Sequence, residues 1–280
     1  KPAPIVHEHD HNAAPESEWL AQEPGSRAEQ QNRGVEGQGA CTRCAGCAYP
    51  VYPAYSSVPI PTPPFWGYRA ITEIPRDELF ELLDRKSLYR VGWGARGKTG
   101  AAWDALQGEF DARLTQMWAA ASYWHPQALY GYFPVASDEE TLLVYDPQQP
   151  EARQEIARFT FPRLRRGEAC LCLADYFASV GSGVVDVAAF QVVTVGAGAT
   201  ERFGVLDAMG EYSDAYYVHG LAAHTTEALA EWLHRRIRAE LGLPETQGKR
   251  YSWGYPACPD LEEHRILFGL LPAEDALGLR

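Results

Sequence analysis

The stretch Arg250-Tyr251-Ser252-Trp253-Gly254-Tyr255-Pro256-Ala257-Cys258-Pro259-Asp260 gathers a guanidinium, phenols, an indole, a hydroxyl and a thiol in one short run. Pro256 and Pro259 lack the N–H that a helix interior or a central strand requires, so the run is an irregular loop. Proline and glycine hold such a loop rigid and let its backbone approach another group closely. Two readings follow. The loop is a platform offering backbone groups and ring faces to a ligand, or it is a structural turn that plugs the core with aromatics. Residue types alone leave both open.

Other clusters point toward metal chemistry. His7-Glu8-His9-Asp10-His11 alternates side chains able to ligate a metal, and Cys41, Cys44 and Cys47 have CxxCxxC spacing. A closed zinc site takes four ligands, and an iron–sulfur cluster also takes a fourth cysteine. That fourth ligand would have to come from Cys170 or Cys258. A metal-binding protein built on Cys41–Cys47 therefore stands as an alternative function. Gly181-Ser182-Gly183 and Gly196-Ala197-Gly198 read as turns, because neither completes G-x-G-x-x-G within a βαβ unit.

These groups need elements to hold them. Pro75 opens a helix over 76–88, with Leu79, Phe80, Leu82 and Leu83 on one face. A loop over 87–97 carries Tyr89, Trp93 and Arg96. A second helix covers 101–123, and its stripe of Trp103, Leu106, Phe110, Leu114, Met117 and Trp118 is a core face. Strands follow over 128–135 and 141–146 as a hairpin, then over 155–162, 170–177 and 186–195. Strands in succession, without helices between them, give an antiparallel sheet. A long helix covers 214–241, with Leu221, Leu229, Trp232, Leu233 and Ile237 on its apolar stripe. Glu227, Glu231, His234 and Arg238 fall on a second face, and Glu231 with Arg235 makes an ordinary i,i+4 pair. The fold class is α+β: a twisted antiparallel sheet flanked by long helices.

The chain of 280 residues is long enough for a sizeable core, and its 25 basic and 37 acidic residues give a net charge of −12. That field disfavours nonspecific binding to nucleic acid or to an anionic membrane. No window approaches a membrane-spanning length, and no secretory leader opens the chain. It begins at Lys1, which suggests a piece of something longer. Residues 1–58 form a flexible linker, polar at first and rich in Pro, Ala and Tyr later. A folded domain runs over 59–280, entered through a stiff Pro-rich segment whose Phe65 and Trp66 are expected to dock on it. Cys170 and Cys172 lie on one face of an apolar strand as small core residues, which fits a reducing, cytoplasmic compartment.

Five stretches occur in one order: Pro61-Thr62-Pro63-Pro64-Phe65-Trp66-Gly67, Leu129-Tyr130-Gly131-Tyr132-Phe133-Pro134, Cys172-Leu173-Ala174-Asp175-Tyr176, His219-Gly220-Leu221 with Thr226 through His234, and Arg250 through Asp260. Together they resemble the activation (S-adenosylmethionine-binding) domain of cobalamin-dependent methionine synthase, over about residues 59–280. The resemblance implies a reactivation module. Such a module supplies a methyl group from S-adenosylmethionine to cob(II)alamin held by a partner cobalamin-binding domain, while a flavodoxin-type donor supplies an electron. A non-catalytic corrinoid-docking module is the alternative within the same reading.

The resemblance implies Glu227, Arg250, Ser252, Gly254 and Tyr255 as the S-adenosylmethionine-binding residues. The chemistry is consistent with it. Arg250 can fork onto a carboxylate, Glu227 can hold an ammonium, Gly254 permits close backbone approach, and Tyr255 can flank the ligand. Methyl transfer is an in-line displacement that needs placement more than proton transfer. No general base is therefore assigned, and His219, His224, His234 and His264 are structural or surface residues. Two departures stand out. Gly92 occupies the position, before Trp93, where family members carry an acidic residue. The family also continues past the position of Arg280 with a segment that closes the other side of the ligand, so the expectation is a domain truncated at its C-terminus.

Overall fold

The computed structural model describes residues 59–166, 169–244 and 247–279, with two further backbone pairs at 39–40 and 48–49. Those two short strands, β1 (Gly39–Ala40) and β2 (Ala48–Tyr49), pair antiparallel. The clusters His7–His11 and Cys41–Cys47 lie outside the described residues.

A five-stranded antiparallel sheet forms the centre. It comprises β3 (Gly67–Ile71), β4 (Gln127–Asp138), β5 (Thr141–Tyr145), β6 (Glu155–Thr160) and β9 (Asp186–Thr194). Strand β4 is its spine. One edge of β4 pairs with β9 from Gln127 to Val135. The other pairs with β3 as far as Tyr132 and with β5 from Val135 onward. Pro134, which has no N–H to give, falls in the gap between those two partners. β4 is buried along nearly its whole length, which is why its sequence is almost uninterruptedly apolar.

The alternation of β4 and β9 assigns each face of the sheet to a different layer. Ala128, Tyr130, Tyr132, Val187 and Val193 pack on one side against Leu229, Leu233 and Ile237 of the long helix α4 (Tyr212–Glu240). Leu79 of helix α1 (Arg76–Leu82) joins this layer. On the other side, Leu129, Phe133, Val135, Ala188 and Phe190 pack against Leu267, Leu270, Leu271 and Leu277. Those leucines belong to helices α5 (His264–Leu270) and α6 (Ala273–Leu277) and the turn between them. A third cluster joins helix α2 (Gly100–Ala120) to α4 through Phe110, Leu114, Trp93 and Leu221. Helix α3 (Gly198–Ala208) packs its Leu206 on Ala215 and Val218 of α4. The α+β class expected from the sequence is the observed one.

Several expectations need correction. The helix expected over 76–88 stops at Leu82, because Leu83 turns extended. The Asp84 carboxylate then accepts the Ser87 N–H at 2.9 Å and starts a new turn. The segment Leu88–Gly92, expected to be loop, is a π-helical turn. The strand expected over 170–177 is only the short β8 (Ala169–Leu171), paired with β7 (Leu164–Arg166). Cys172 leaves it, and its N–H donates to Asp175 at 2.9 Å to open a 3₁₀ turn over Leu173–Tyr176. Asp175 in turn takes both forks of Arg163, at 2.9 and 3.1 Å. Phe65 docks edge-on against Tyr132 with centroids 5.0 Å apart, whereas Trp66 stays exposed.

Candidate functional site

The loop of Arg250–Asp260 begins where α4 has ended and the chain has doubled back along it. Its geometry is fixed by short internal bonds. The Gly254 N–H donates to the Cys258 carbonyl at 2.9 Å, and the Cys258 N–H donates to the Tyr255 carbonyl at 3.0 Å. Gly254 has φ of 91°, in the left-handed region that favours glycine. A Cβ there would also press to 3.3 Å from Leu261 Cδ2. The Cys258 thiol donates to the Ser252 carbonyl at 2.9 Å and closes the loop on itself. Burial, with Glu263 nearby, pushes that thiol up to about 11, so it is a clasp and not a nucleophile.

Trp253 anchors the loop to the sheet. Its ring tilts against Phe159 with centroids 5.4 Å apart. Its indole N–H donates to Glu263 Oε2 at 2.8 Å, and Glu263 Oε1 accepts the Thr160 N–H of β6 at 3.1 Å. Glu263 is a buried carboxylate holding two donors, and nothing in the sequence pattern singled it out. Asp260 accepts the Glu262 N–H at 2.9 Å and starts the helical segment that follows. The loop is thus a platform and also a plug. Trp253 and Cys258 join the core, while Tyr251 and Tyr255 stay exposed.

On the open side, the structure brings together Glu227, Arg250 and Ser252. Arg250 reaches Glu227 Oε2 through Nη2 at 3.3 Å and Ser252 Oγ through Nη1 at 3.3 Å. The Arg250 side chain is 24% exposed and that of Glu227 is 62% exposed. Tyr255 lies in the same field. Although the ring is exposed, partial desolvation raises its phenol, the Glu227 carboxylate raises it further, and the Arg250 guanidinium partly offsets both. A cation, an anion, a hydroxyl and a phenol therefore share one rim, the two charges paired with each other.

A family model described as "Vitamin B12 dependent methionine synthase, activation domain" matches residues 98–280. The chain belongs to this family. Among curated relatives, it is 36% identical over 250 residues to a protein named methionine synthase from Mycobacterium leprae (strain TN). It is 34% identical over 253 residues to one of the same name from Mycobacterium tuberculosis (strain ATCC 25618 / H37Rv). Each alignment covers 78% of this chain and 21% of the relative, so the chain spans about a fifth of the length of these relatives. A crystal structure of the MetH reactivation domain bound to AdoHcy shares the fold, with a TM-score of 0.69. It is 22% identical, and the match covers 81% of this chain and 76% of that one.

At position 92 of this activation domain a side chain would crowd helix α4. A Cβ on Gly92 would lie 2.9 Å from Cδ2 of His224. A Cβ on Gly220 would lie 2.6 Å from the Gly92 carbonyl oxygen, so the π turn and α4 meet backbone to backbone. Trp93 is core: it stacks on Tyr89 at 5.3 Å and donates its indole N–H to the Tyr217 carbonyl at 3.1 Å. His224 and His234 are partly buried on α4, and burial lowers both below the ordinary histidine range. His234 also feels the cations Arg238 and Arg250. Among the described residues, no group of His, Cys, Asp and Glu is arranged to hold a metal ion. Nor is any described helix long and apolar enough to cross a membrane.

Proposed function

We propose that this activation domain binds S-adenosylmethionine on the rim formed by Glu227, Arg250, Ser252, Gly254 and Tyr255. It would serve as the reactivation module of a cytoplasmic cobalamin-dependent methionine synthase, a methyltransferase of methionine biosynthesis. The observation that carries the reading is the pairing of Arg250 with Glu227 on a loop whose backbone is locked. These side chains suit the ligand's amino-acid tail: Arg250 would take the carboxylate, with Ser252 holding the guanidinium in plane, and Glu227 would take the ammonium. Gly254 would leave the backbone open to close approach, and Tyr255 would flank the adenosyl part with its ring. AdoHcy, which the solved neighbour is described as binding, has the same tail.

S-adenosylmethionine, when bound, supplies a methyl group on a sulfonium. Arg250, Ser252 and Glu227 would hold the amino-acid tail, and none of the named residues is asked to transfer a proton. Cobalamin would be held by a partner cobalamin-binding domain, and the electron would come from a flavodoxin-type protein. Isothermal titration calorimetry tests the reading directly. Saturable heat with S-adenosylmethionine, weakened by several kcal/mol in Arg250→Ala, is the expected result, since each charge-assisted bond is worth about 1.5–3 kcal/mol. No heat from folded protein extended past Arg280 would sink the reading, and an unchanged affinity in the variant would remove Arg250 from it.

A further inference from the structure

We propose that the cavity between the turn over 85–92 and helix α2 is a second ligand site, taking a compact oxyanion of the phosphate class. It encloses about 280 Å³ and is lined by Arg85, Lys86 and Arg90 on the turn and by Trp103, Gln107 and Asp111 on α2. Three cations face one carboxylate in a protein whose formal net charge is −12. Some surface arginines are matched to acids at short range, as Arg113 is to Asp214 at 3.0 Å and Arg236 to Glu240 at 2.9 Å. Asp111 balances only part of this charge, through a 3.9 Å contact with Arg85, and the excess of cations focuses an anion-attracting field against an acidic background.

The donors that line the cavity are underused. Asp111 already accepts the Tyr89 hydroxyl at 2.6 Å. Arg85 approaches it only to 3.9 Å, too long for a hydrogen bond. Arg90 lies over the Trp103 ring at 4.1 Å from its centroid, and one of its terminal nitrogens reaches the Lys98 carbonyl at 3.4 Å. Its Nε is buried with no hydrogen-bond partner among the described residues. Lys86 makes no ion pair among the described residues.

The widened backbone turn sets this arrangement. Between Leu88 and Gly92 the chain is π-helical, with the Trp93 N–H donating to the Leu88 carbonyl at 2.7 Å. Such turns are rare and concentrate at functional sites. Here the turn puts Arg85 and Arg90 on the same cavity wall. Paired guanidinium forks and an ammonium are the donor set that tetrahedral oxyanions select. The volume exceeds a bare phosphate and leaves space for a small organic part beside Trp103 and Gln107.

Calorimetric titration with inorganic phosphate and with phenyl phosphate, in chloride buffer at constant ionic strength, tests the site. Saturable binding is expected, weakened about tenfold or more by the double substitution Arg85→Gln and Lys86→Gln, given the strength of charge-assisted bonds. Arg250→Ala should leave it unchanged, which separates this site from the loop and from the fate of the S-adenosylmethionine reading. Tighter binding of phenyl phosphate identifies an esterified source, and equal binding a free one. Near-UV circular dichroism checks the fold. Lys86→Glu, at an exposed position, replaces the double variant if that variant unfolds, and is expected to weaken binding. Titrations that fail to saturate, or that respond to Arg250→Ala and not to Arg85, Lys86 or both, overturn the proposal.

Discussion

Glu227 and Arg250 meet across the space between helix α4 and the aromatic loop, with Oε2 3.3 Å from Nη2. The contact is long for a charge-assisted bond, and Glu227 is more exposed than buried. Each group is therefore easily recruited by a ligand of opposite charge. Exposed pairs of this kind contribute about 1 kcal/mol or less to stability. Glu227→Gln should accordingly leave the unfolding midpoint nearly unchanged while weakening S-adenosylmethionine about tenfold, the equivalent of about 1.4 kcal/mol. Chemical denaturation and calorimetry on the same variant check both halves. A large stability loss with unchanged affinity would make the pair structural.

Gly220 tolerates no side chain, and Gly204 does. At Gly220 a Cβ would meet the Gly92 carbonyl at 2.6 Å, a backbone atom that cannot swing aside. Gly220→Ala should cost about 1–3 kcal/mol through overpacking. Around the exposed, helical Gly204 nothing lies within 4 Å. Gly204→Ala should stabilise by about 0.5–1 kcal/mol through helix propensity. Thermal unfolding of the two variants side by side is the measurement.

Glu263 accepts two N–H donors, and a glutamine can accept only through its oxygen. Glu263→Gln must turn its amide NH₂ toward either the Trp253 indole or the Thr160 amide. The expected loss is about 1–3 kcal/mol, the cost of one unsatisfied buried donor. Trp253→Phe removes one of those donors, so the double variant should lose less than the sum of the two singles. A denaturant-unfolding double-mutant cycle reads that coupling.

His224 and His234 both carry protons less readily in the folded chain than when unfolded, and burial is the leading cause for each. Asp84 and Glu227 oppose the shift at His224, and Glu231 opposes it at His234. The unfolded chain thus binds more protons as pH falls. Stability contributed by the two histidines is present above the ordinary value of 6.5 and is lost as pH drops through their lowered folded values. The denaturation midpoint should fall between pH 7 and pH 5. The double substitution His224→Gln and His234→Gln should flatten that part of the profile.

Much of this architecture could be read from patterns. The apolar runs of β4 and β9, bounded by turns, and the apolar stripe of α4 set the sheet and its covering helix. The prolines of the Arg250–Asp260 run were enough to call for a loop. Other features carry no periodic mark. The end of α1 depends on one side chain, Asp84, capping a new turn, and helical periodicity runs through that point unbroken. Helix α3 contains Gly198 and Gly204, which weaken its propensity, and it is held by the burial of Ala199 and Leu206. Leu173–Tyr176 reads as strand until Asp175 is seen to hold the Cys172 amide and Arg163. At the site, Glu227 and Arg250 were named through a family resemblance, and their meeting is a fact of the tertiary structure. Glu263 stayed invisible because its partners, Thr160 and Trp253, lie on separate elements.

The grip of Glu263 on Thr160 also bears on solubility. Among the described residues strand β6 pairs with β5 alone, so its other edge presents backbone groups to which a foreign strand can bind. Thr160 directs its N–H away from β5 and into a carboxylate. A neighbouring chain seeking to extend the sheet there would have to displace a buried anion and, with it, the indole of Trp253. The residue that seats the loop is in this sense also a terminator of the sheet. Loss of the Glu263 carboxylate would open an edge to aggregation as well as loosening the loop.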